Sequence, residues 1–494
     1  MFFLKKVGQH ADKRVFSEGF FTKNLPIFLE NILLKGMLKP RLNLKNMDIQ
    51  SKELFSETIL DYQVNTQDLG LTSYVNLDNA ATTPPFLAVQ KAVDNYLISY
   101  GSVHRGAGTK SKISTDLYEH SREVIKEFVG APKDAYVIFS GNTTGAMNTA
   151  AYYFSFLKGK VAVSSIEHSS SWLPWIKAEG IKKLGAEQVG INDMEPINKL
   201  IQEEGRKQVL QYEVNEQFEF DLEKIEKLLK ENDIKVFILT ACSNATGYCP
   251  DIKGIGKLVH KYGAYFVVDG CQFIQHHPID MEAMEINFLA ASGHKFYAPY
   301  GGGFLIGSKK FLDNFISYQI GGGNLPYITK GGEFLRYHNQ LAHDPGTPNA
   351  IGSVAMMAAI EEIKKIGSEN IELYEKNLAK QVFDYLKSNP KIKLYVSEKH
   401  LSTVVPFNVE GREPRKFAEE LNNRFGIGVR AGSFCVYNVV RNLLEIQDES
   451  QIIAGVKAGQ ENAVPGFIRA SFSLCNSQED VDRFINAIAT MTNE

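Results

Sequence analysis

Six short apolar runs between residues 135 and 307 constrain the fold of this chain more than any other feature. Amphipathic helical patterns, such as those at 221–233 and 252–263, separate several of these runs. Apolar strands that alternate with helices are typical of a mostly parallel sheet covered on both faces. The runs, read as strands, lie at 135–140, 160–165, 235–242, 264–270, 286–292 and 302–307. The short connection between the last two predicts an antiparallel hairpin at one edge of the sheet.

The pattern changes on both sides of this region, and the 494 residues are too many for one ordinary domain. After residue 345, a long helical pattern at 350–367 leads into mixed helices and short strands. The closing helix has Ser477 as a candidate cap, with Asp480 three residues later. We therefore predict a large α/β domain at 71–345 and a smaller α+β domain at 346–494. Residues 1–70, with amphipathic helical patterns at 24–38 and 51–63, are expected to form an N-terminal extension that packs on the body or on a partner.

Composition excludes several classes of protein. A net charge of −3 and a pI of about 6.4 do not indicate a nucleic-acid or membrane-surface binder. The chain has no run of eighteen apolar residues, and its first charges follow four apolar residues, so neither a transmembrane helix nor a signal peptide is expected. The five cysteines lack CxxC spacing, which argues against a zinc site and against a disulfide scaffold. We expect a reducing, cytoplasmic environment.

Polar residues follow the ends of the predicted strands, where open α/β sheets bind their ligands. The first strand leads through a glycine turn into Thr143 and Thr144 at a helix start, which suits a phosphate site or, equally, a plain helix cap. His168 follows the second strand and, taken alone, is also explained as an ordinary loop histidine. The remaining strand-end residues are Asn244, Asp269, Gln272, Ser292, His294 and Lys295.

This set of side chains suits pyridoxal phosphate. The cofactor requires a lysine for a Schiff base, an acid beside its pyridine nitrogen, a group that stacks on its ring, and donors to its phosphate. A buried Asp269 needs a cationic partner, and an unpaired buried Lys295 is costly, so both residues demand an explanation. Nucleotide binding would explain the phosphate turn alone, and the chain has neither a GxxxxGK[ST] motif nor a GxGxxG motif at a strand–helix junction.

An ordered series of motifs resembles the class V aminotransferase superfamily, in its cysteine desulfurase and selenocysteine lyase branch. The resemblance covers residues 74–494. The motifs are LDNAATTPP, SVHRGAGTKS, IEHSSSWLPW, SNATGYCP, VVDGCQ, SGHKFYAPYGGG, GTPN and RASFS. The resemblance implies a fold type I homodimer that binds pyridoxal phosphate, with a mostly parallel seven-stranded sheet in its large domain.

The resemblance also implies roles for individual residues. Lys295 would be the Schiff-base lysine, Asp269 would pair with the pyridinium nitrogen, and His168 would stack on the ring. Gln272 would contact the ring hydroxyl. The expected phosphate ligands are Thr143, Thr144, Ser292 and His294, with Thr347 reaching across from the other subunit. The expected substrate-binding residues are Asn244, Arg469 and Arg430, since an arginine fork binds a carboxylate bidentately.

Cys435 bears on which reaction is catalysed. Arg430, Gly432 and Cys435 match the family motif Arg-x-Gly-x-x-Cys, in which the thiolate attacks the substrate sulfur. Ser433 and Phe434 stand where one common version of the motif has two histidines. The alternative for Cys435 is a partly buried, unreactive cysteine, and we expect the other four cysteines to be structural.

The resemblance therefore predicts that L-cysteine is converted to L-alanine and that its sulfur passes through a Cys435 persulfide to an acceptor protein or thiol. The alternatives are another enzyme on this scaffold, such as a selenocysteine lyase, an aminotransferase or an epimerase, and a protein on the same fold that binds but does not catalyse.

Overall fold

The computed structural model describes residues 53–184, 194–460 and 462–494. The amphipathic pattern at 24–38 lies outside these residues, as does most of the predicted N-terminal extension. Of the pattern at 51–63, the structure shows a short helix, Glu57–Leu60. No helix in the described ranges combines the length and the apolar character needed to cross a membrane.

Fifteen α-helices are present in the described part of the chain. They are α1 (Glu57–Leu60), α2 (Leu87–Ser99), α3 (Thr109–Phe128), α4 (Thr143–Ser155), α5 (Ser169–Leu184), α6 (Met194–Gln208), α7 (Leu222–Glu231), α8 (Ile252–Lys261), α9 (Lys309–Leu312), α10 (Ala350–Ile366), α11 (Ser368–Ser388), α12 (Pro414–Phe425), α13 (Tyr437–Leu443), α14 (Ser450–Lys457) and α15 (Gln478–Asn493). Short 3₁₀ turns occur at Gly293–Lys295, Gln340–His343 and Glu398–His400.

Seventeen strands accompany these helices in the same residues. They are β1 (Gln63–Thr66), β2 (Gly70–Ser73), β3 (Val75–Asn76), β4 (Tyr136–Ser140), β5 (Lys160–Ser164), β6 (Val209–Tyr212), β7 (Ile234–Thr240), β8 (Tyr265–Asp269), β9 (Phe288–Ser292), β10 (Gly303–Gly307), β11 (Tyr327–Ile328), β12 (Phe334–Leu335), β13 (Ile392–Leu394), β14 (Val404–Val409), β15 (Ile427–Gly428), β16 (Arg430–Gly432) and β17 (Phe467–Ser471).

The large sheet has seven strands in the order β4-β10-β9-β8-β7-β5-β6. Only β10 runs antiparallel to its neighbours, so the sheet is mostly parallel as predicted. All seven residues of β7 are buried, which explains why a central strand reads as one continuous apolar run. All six predicted strands are confirmed, with ends that differ by one or two residues.

Two details of the sheet differ from the prediction. The β9–β10 pair is antiparallel, but it does not form an edge, because β4 pairs with the outer side of β10. Strand β6, which forms the opposite edge of the sheet, was not predicted from the sequence. This strand has four residues whose burial varies along its length, so it offers no continuous apolar run to detect.

The C-terminal part contains a four-stranded antiparallel sheet in the order β13-β14-β17-β16. Helices α11, α12 and α15 pack on it through an apolar cluster that includes Phe383, Phe417 and Phe484. The Ser477 hydroxyl accepts a hydrogen bond from the Asp480 N–H at the start of α15, and the Asp480 side chain caps in return, so the predicted capping box is confirmed. Strand β17 matters most for the site, because it carries Arg469.

Candidate active site

A cavity of about 260 Å³ lies at the carboxyl ends of the strands of the large sheet, where it meets the C-terminal sheet. Twelve of the thirteen residues selected from the sequence line it. They are Thr143, Thr144, His168, Asn244, Asp269, Gln272, Ser292, His294, Lys295, Arg430, Cys435 and Arg469. The remaining residue, Thr347, is exposed and does not line this cavity.

Lys295 stands at the end of the 3₁₀ turn that follows β9. Its Nζ donates a hydrogen bond to the carbonyl oxygen of Ala80 at 2.6 Å, and the Gln272 amide donates to the same oxygen at 2.6 Å. Burial lowers the pKa of Lys295, and the nearby cation of Arg469 acts in the same direction. A lysine with a lowered pKa is more readily available as a neutral amine, which is the form that acts as a nucleophile or a base.

Asp269 is the last residue of β8, and only 4% of its surface is exposed. The Ser171 hydroxyl and the Cys271 backbone N–H, the latter at 3.0 Å, donate hydrogen bonds to its two carboxylate oxygens. These donors are neutral, so neither is the cationic partner that the sequence analysis expects for a buried carboxylate. Ser171 was not selected from the sequence, although it lies in the motif IEHSSSWLPW.

His168 lies between the end of β5 and the start of α5. Its Nδ1 accepts a hydrogen bond from the Ser170 backbone N–H at 3.1 Å, which leaves Nε2 to carry the proton of the neutral ring. Burial lowers the pKa of His168, and this outweighs the opposing effect of Asp269. The site therefore contains an uncharged imidazole that can lie against a flat ligand.

The start of α4 lines the same cavity. Asn142 caps this helix by accepting a hydrogen bond from the Gly145 N–H at 3.0 Å. Thr143 and Thr144 are therefore not needed as caps, and both line the cavity. The Thr143 N–H donates to the Ser292 hydroxyl at 2.6 Å. The Thr144 hydroxyl lies 2.7 Å from that of Ser170. Hydroxyl donors at the positive end of a helix suit a phosphate group.

His294 completes this end of the cavity as a neutral donor. Burial and the adjacent Lys295 cation lower the pKa of His294 to about 4. Its imidazole is therefore uncharged at neutral pH and would contribute a hydrogen bond rather than a charge to a bound anion.

Arg469 projects from β17 into the opposite side of the cavity and is 2% exposed. One guanidinium nitrogen lies 3.0 Å from Asp78, and another donates to the Asn244 carbonyl oxygen at 2.6 Å. Its Nε has no hydrogen-bond partner among the described residues. A buried guanidinium with a free donor suits a carboxylate ligand. Asp78 lies in the motif LDNAATTPP, which marks this segment as part of the resemblance but does not pair Asp78 with Arg469.

Arg430 is more exposed than Arg469 and lies 3.6 Å from the other oxygen of Asp78. Asp78 thus links the two arginines that were selected as substrate-binding residues. Because 56% of the Arg430 side chain is exposed, its ion pair is the weaker of the two.

Cys435 lies on a turn after β16, and it is the exposed cysteine of the five. Phe434 and Cys435 both have left-handed backbone angles, with φ of +51° and +57°. The Cys435 carbonyl oxygen accepts two hydrogen bonds from Ser169, from its N–H and its hydroxyl, each at 2.8 Å. The Asn244 amide donates to the Phe434 carbonyl oxygen at 3.0 Å. This turn presents a thiol to the cavity, so the interpretation of Cys435 as a partly buried cysteine does not fit.

The family model for Aminotransferase class-V matches this chain at residues 75–207 and 194–484. The chain belongs to the class V aminotransferase family. The members of this family are pyridoxal phosphate enzymes, and the family and branch predicted from the motifs are confirmed.

Relatives of this class V protein carry a consistent name. A probable cysteine desulfurase of Halalkalibacterium halodurans is 31% identical over 87% of this chain and 94% of that protein. A probable cysteine desulfurase of Pyrococcus abyssi is 32% identical over 85% of this chain and 95% of that protein. A solved apo structure of a cysteine desulfurase from Thermococcus onnurineus has a TM-score of 0.71 and 28% identity, and covers 85% of this chain and 95% of that one. The fold is that of the fold type I pyridoxal phosphate enzymes.

Proposed function

We propose that this protein is a pyridoxal phosphate-dependent cysteine desulfurase that converts L-cysteine to L-alanine and receives the sulfur on Cys435. The observation that carries the proposal is the single cavity that contains Lys295, Asp269, Arg469 and Cys435. These are an amine, an acid, a carboxylate receptor and a thiol, and the reaction requires one of each. The names of the relatives support the same reaction.

The residues present fit the cofactor. Asp269 has only neutral hydrogen-bond donors, so a protonated ring nitrogen would be the cation that it lacks. Gln272 and the neutral His168 would hold the ring hydroxyl and the ring face. The phosphate would be held by Thr143, Thr144, Ser292 and His294. When bound, pyridoxal phosphate supplies an electron sink that weakens bonds at the substrate Cα and Cβ.

The protein's own groups then perform three tasks. The buried guanidinium of Arg469, which lines the cavity, binds the substrate carboxylate, and the Asn244 amide holds the turn that carries Cys435. Lys295, with its lowered pKa, takes the Cα proton and can return a proton to the carbon product. The Cys435 thiolate attacks the substrate sulfur, so that an S–S bond forms as the Cβ–S bond breaks.

The products of these steps are alanine and a persulfide on Cys435. Because Cys435 is exposed, an acceptor protein or a small thiol can reach the persulfide from solvent. We propose such an acceptor as the partner of this protein. The five cysteines are free, which supports our proposal of a reducing, cytoplasmic environment.

A homodimer is also part of the proposal. Thr347 is exposed and away from its own chain's cavity, as expected of a residue that contributes to the cavity of a second copy.

The domain boundaries at 71–345 and 346–494 are also part of the proposal. All seven strands of the large sheet lie in the first range and all four of the C-terminal sheet in the second. Residues 75–76, however, pair with β15 of the C-terminal part.

The test is turnover of purified, cofactor-loaded protein with L-cysteine and a reductant, with alanine and sulfide quantified together. Equal amounts of the two products are expected. Alanine without sulfide, or faster turnover of selenocysteine or of a sulfur-free amino acid, would assign another reaction to the same cavity. Absence of turnover for every amino acid would favour a binding protein.

A further inference from the structure

Two cysteines that the proposed reaction does not use lie side by side next to the cavity. The Sγ atoms of Cys242 and Cys249 are 2.7 Å apart. Cys242 is buried and lines the cavity, whereas Cys249 is partly exposed. Both were expected from the sequence to be structural, and no CxxC spacing marks them as a pair.

A tight turn between β7 and α8 brings the two thiols together. The Ser243 N–H donates to the Tyr248 carbonyl oxygen at 2.9 Å, and the Gly247 N–H donates to the Ser243 carbonyl oxygen at 2.8 Å. Gly247 has a φ of +74°, and a Cβ at this position would lie 1.9 Å from the Ser402 hydroxyl oxygen. The turn therefore needs glycine, and its closure places Cys242 opposite Cys249.

A histidine and a carboxylate complete the cluster. The His277 Nε2 lies 3.7 Å from the Cys249 sulfur, and its Nδ1 lies 3.0 Å from a carboxylate oxygen of Glu372 on α11. Burial disfavours a charged His277, but its contacts with Cys249 and Glu372 outweigh this effect and raise the pKa of His277. The contacts with Cys242 and with His277 lower the pKa of Cys249, whereas the pKa of Cys242 is raised by the same pairing and by burial.

Zinc does not explain this arrangement well. Two thiolates bound to one zinc ion at about 2.3 Å each would lie roughly 3.7 Å apart in tetrahedral geometry. The observed 2.7 Å between the sulfurs is much shorter, and it is closer to the distance at which a bond between them can form.

We propose that Cys249 and Cys242 form a two-thiol oxidation site that reacts with hydroperoxides and closes to a reversible disulfide. Cys249 is the thiol that attacks, because His277 lies beside it and it is partly exposed to solvent. Cys242 is the resolving thiol, because its sulfur already touches that of Cys249.

The two steps balance in atoms and electrons. The Cys249 thiolate attacks hydrogen peroxide, so that an S–O bond forms, the O–O bond breaks and hydroxide leaves. This step oxidises the sulfur and reduces the peroxide by two electrons. Cys242 then attacks the Cys249 sulfenic acid, so that the S–S bond forms and the S–O bond breaks. Two thiols and one peroxide give one disulfide and two waters, and two external thiols, or one dithiol, reduce the disulfide and are themselves oxidised to a disulfide.

The consequence is a disulfide in the wall of the catalytic cavity, on the segment that also carries Asn244. None of the steps uses the cofactor, the substrate or Cys435. A failure of this inference is therefore distinguishable from a failure of the proposed function.

The experiment uses the full chain with Cys435→Ser, which removes the exposed thiol and leaves four cysteines of the original five. The reduced protein is titrated with hydrogen peroxide, and its free thiols are counted after denaturation. We expect the count to fall from four to two, with a mass loss of about 2 Da confined to the tryptic peptide that contains both Cys242 and Cys249, and full recovery with dithiothreitol.

Two further variants in the Cys435→Ser background identify the roles. Cys242→Ser should trap Cys249 as a sulfenic acid that a dimedone probe labels, whereas Cys249→Ser should leave Cys242 unlabelled. Cys271 and Cys475 serve as internal controls, and Cys249 should react about tenfold faster than either, because it has the lowered thiol pKa.

Three results would overturn the proposal. The first is oxidation of Cys271 or Cys475 at the same rate as Cys249. The second is a gain of oxygen on the Cys242–Cys249 peptide without loss of two hydrogens. The third is zinc that copurifies with the protein and is lost with Cys249→Ser.

Discussion

The two sides of the cavity are built in different ways. On one side, Asp269, Ser292 and Lys295 stand at or directly after the ends of β8 and β9, inside a seven-stranded sheet whose central strands are buried. On the other side, Cys435 lies on an exposed turn with a left-handed backbone, held by hydrogen bonds from Ser169 and Asn244. The groups that would hold the cofactor therefore stand on a rigid frame of packed strands, whereas the thiol stands on an exposed turn.

This difference matches what each side must do. A base and a cofactor anchor act best when packed strands hold them within a narrow range of geometry. A thiol that takes sulfur from a substrate and then delivers it to an acceptor must meet two partners in succession, and an exposed turn permits this. Substitutions on the two sides of the cavity should therefore impair activity in different ways.

The largest effect should come from Lys295→Ala. This change removes the amine with the lowered pKa, and we expect alanine formation to fall by at least about 10³-fold, within the range of general acid–base catalysis together with loss of the cofactor linkage. The measurement is alanine release from L-cysteine at saturation. The exposed Lys310 provides the control, since Lys310→Ala should retain activity. Substantial turnover by the Lys295 variant would contradict the assigned base.

The Asp269→Asn substitution should rank next. An amide cannot supply the negative charge that the cofactor ring nitrogen needs, so we expect about a 100-fold loss of turnover with the fold intact. Ser171→Ala removes one hydrogen bond to the carboxylate and should cost about tenfold. Both rates are measured at saturating cofactor. Equal losses for the two variants would show that Ser171 does more than position Asp269.

The Asn244→Ala substitution tests the Cys435 side of the cavity. It removes the hydrogen bond to the Phe434 carbonyl oxygen, and we expect a roughly two- to twelvefold fall in kcat/KM for cysteine, from a loss of about 0.5–1.5 kcal/mol. The cofactor should bind as in the unaltered protein. Asn389→Ala, which removes a side-chain hydrogen bond to Thr492, is the matched control and should keep full activity. A loss of cofactor from the Asn244→Ala variant would contradict the view that cofactor binding and the position of Cys435 depend on different sides of the cavity.

The smallest effect concerns pH and His294. The pKa of His294 is lowered from 6.5 to about 4 in the folded chain, chiefly by burial. Between these values the unfolded chain binds a proton that the folded chain does not, so the cofactor-free protein should lose stability as the pH falls from 6.5 toward 4. His294→Gln should make this decline shallower. The measurement is the thermal midpoint of the unaltered protein and of His294→Gln across that pH range. If the two midpoints fall in parallel, His294 is not the source of the pH dependence.

The sequence predicts the rigid side better than the turn. Buried strands read as apolar runs, and the polar residue that ends such a run, as Asp269 ends β8, lies at the rim of the sheet. The motifs then assign roles to Lys295 and Arg469. Partners from distant segments were not predicted, because a sequence pattern does not show that Asp78 meets Arg469 or that Ser171 meets Asp269. The Cys242–Cys249 contact depends on a turn at Gly247, which spacing alone does not reveal.

In the proposed reaction, Cys435 receives the sulfur while the rest of the cavity performs the chemistry at Cα. The most direct measurement is a single turnover of cofactor-loaded protein with L-cysteine and no reductant, followed by intact mass and alanine quantification, for the unaltered protein and for Cys435→Ser. We expect about one alanine per active site together with a gain of about 32 Da on the peptide that contains Cys435, and we expect neither from the Cys435→Ser variant, which should still hold its cofactor. Alanine and a persulfide formed in equal amounts by the Cys435→Ser protein would show that Cys435 is not the sulfur acceptor.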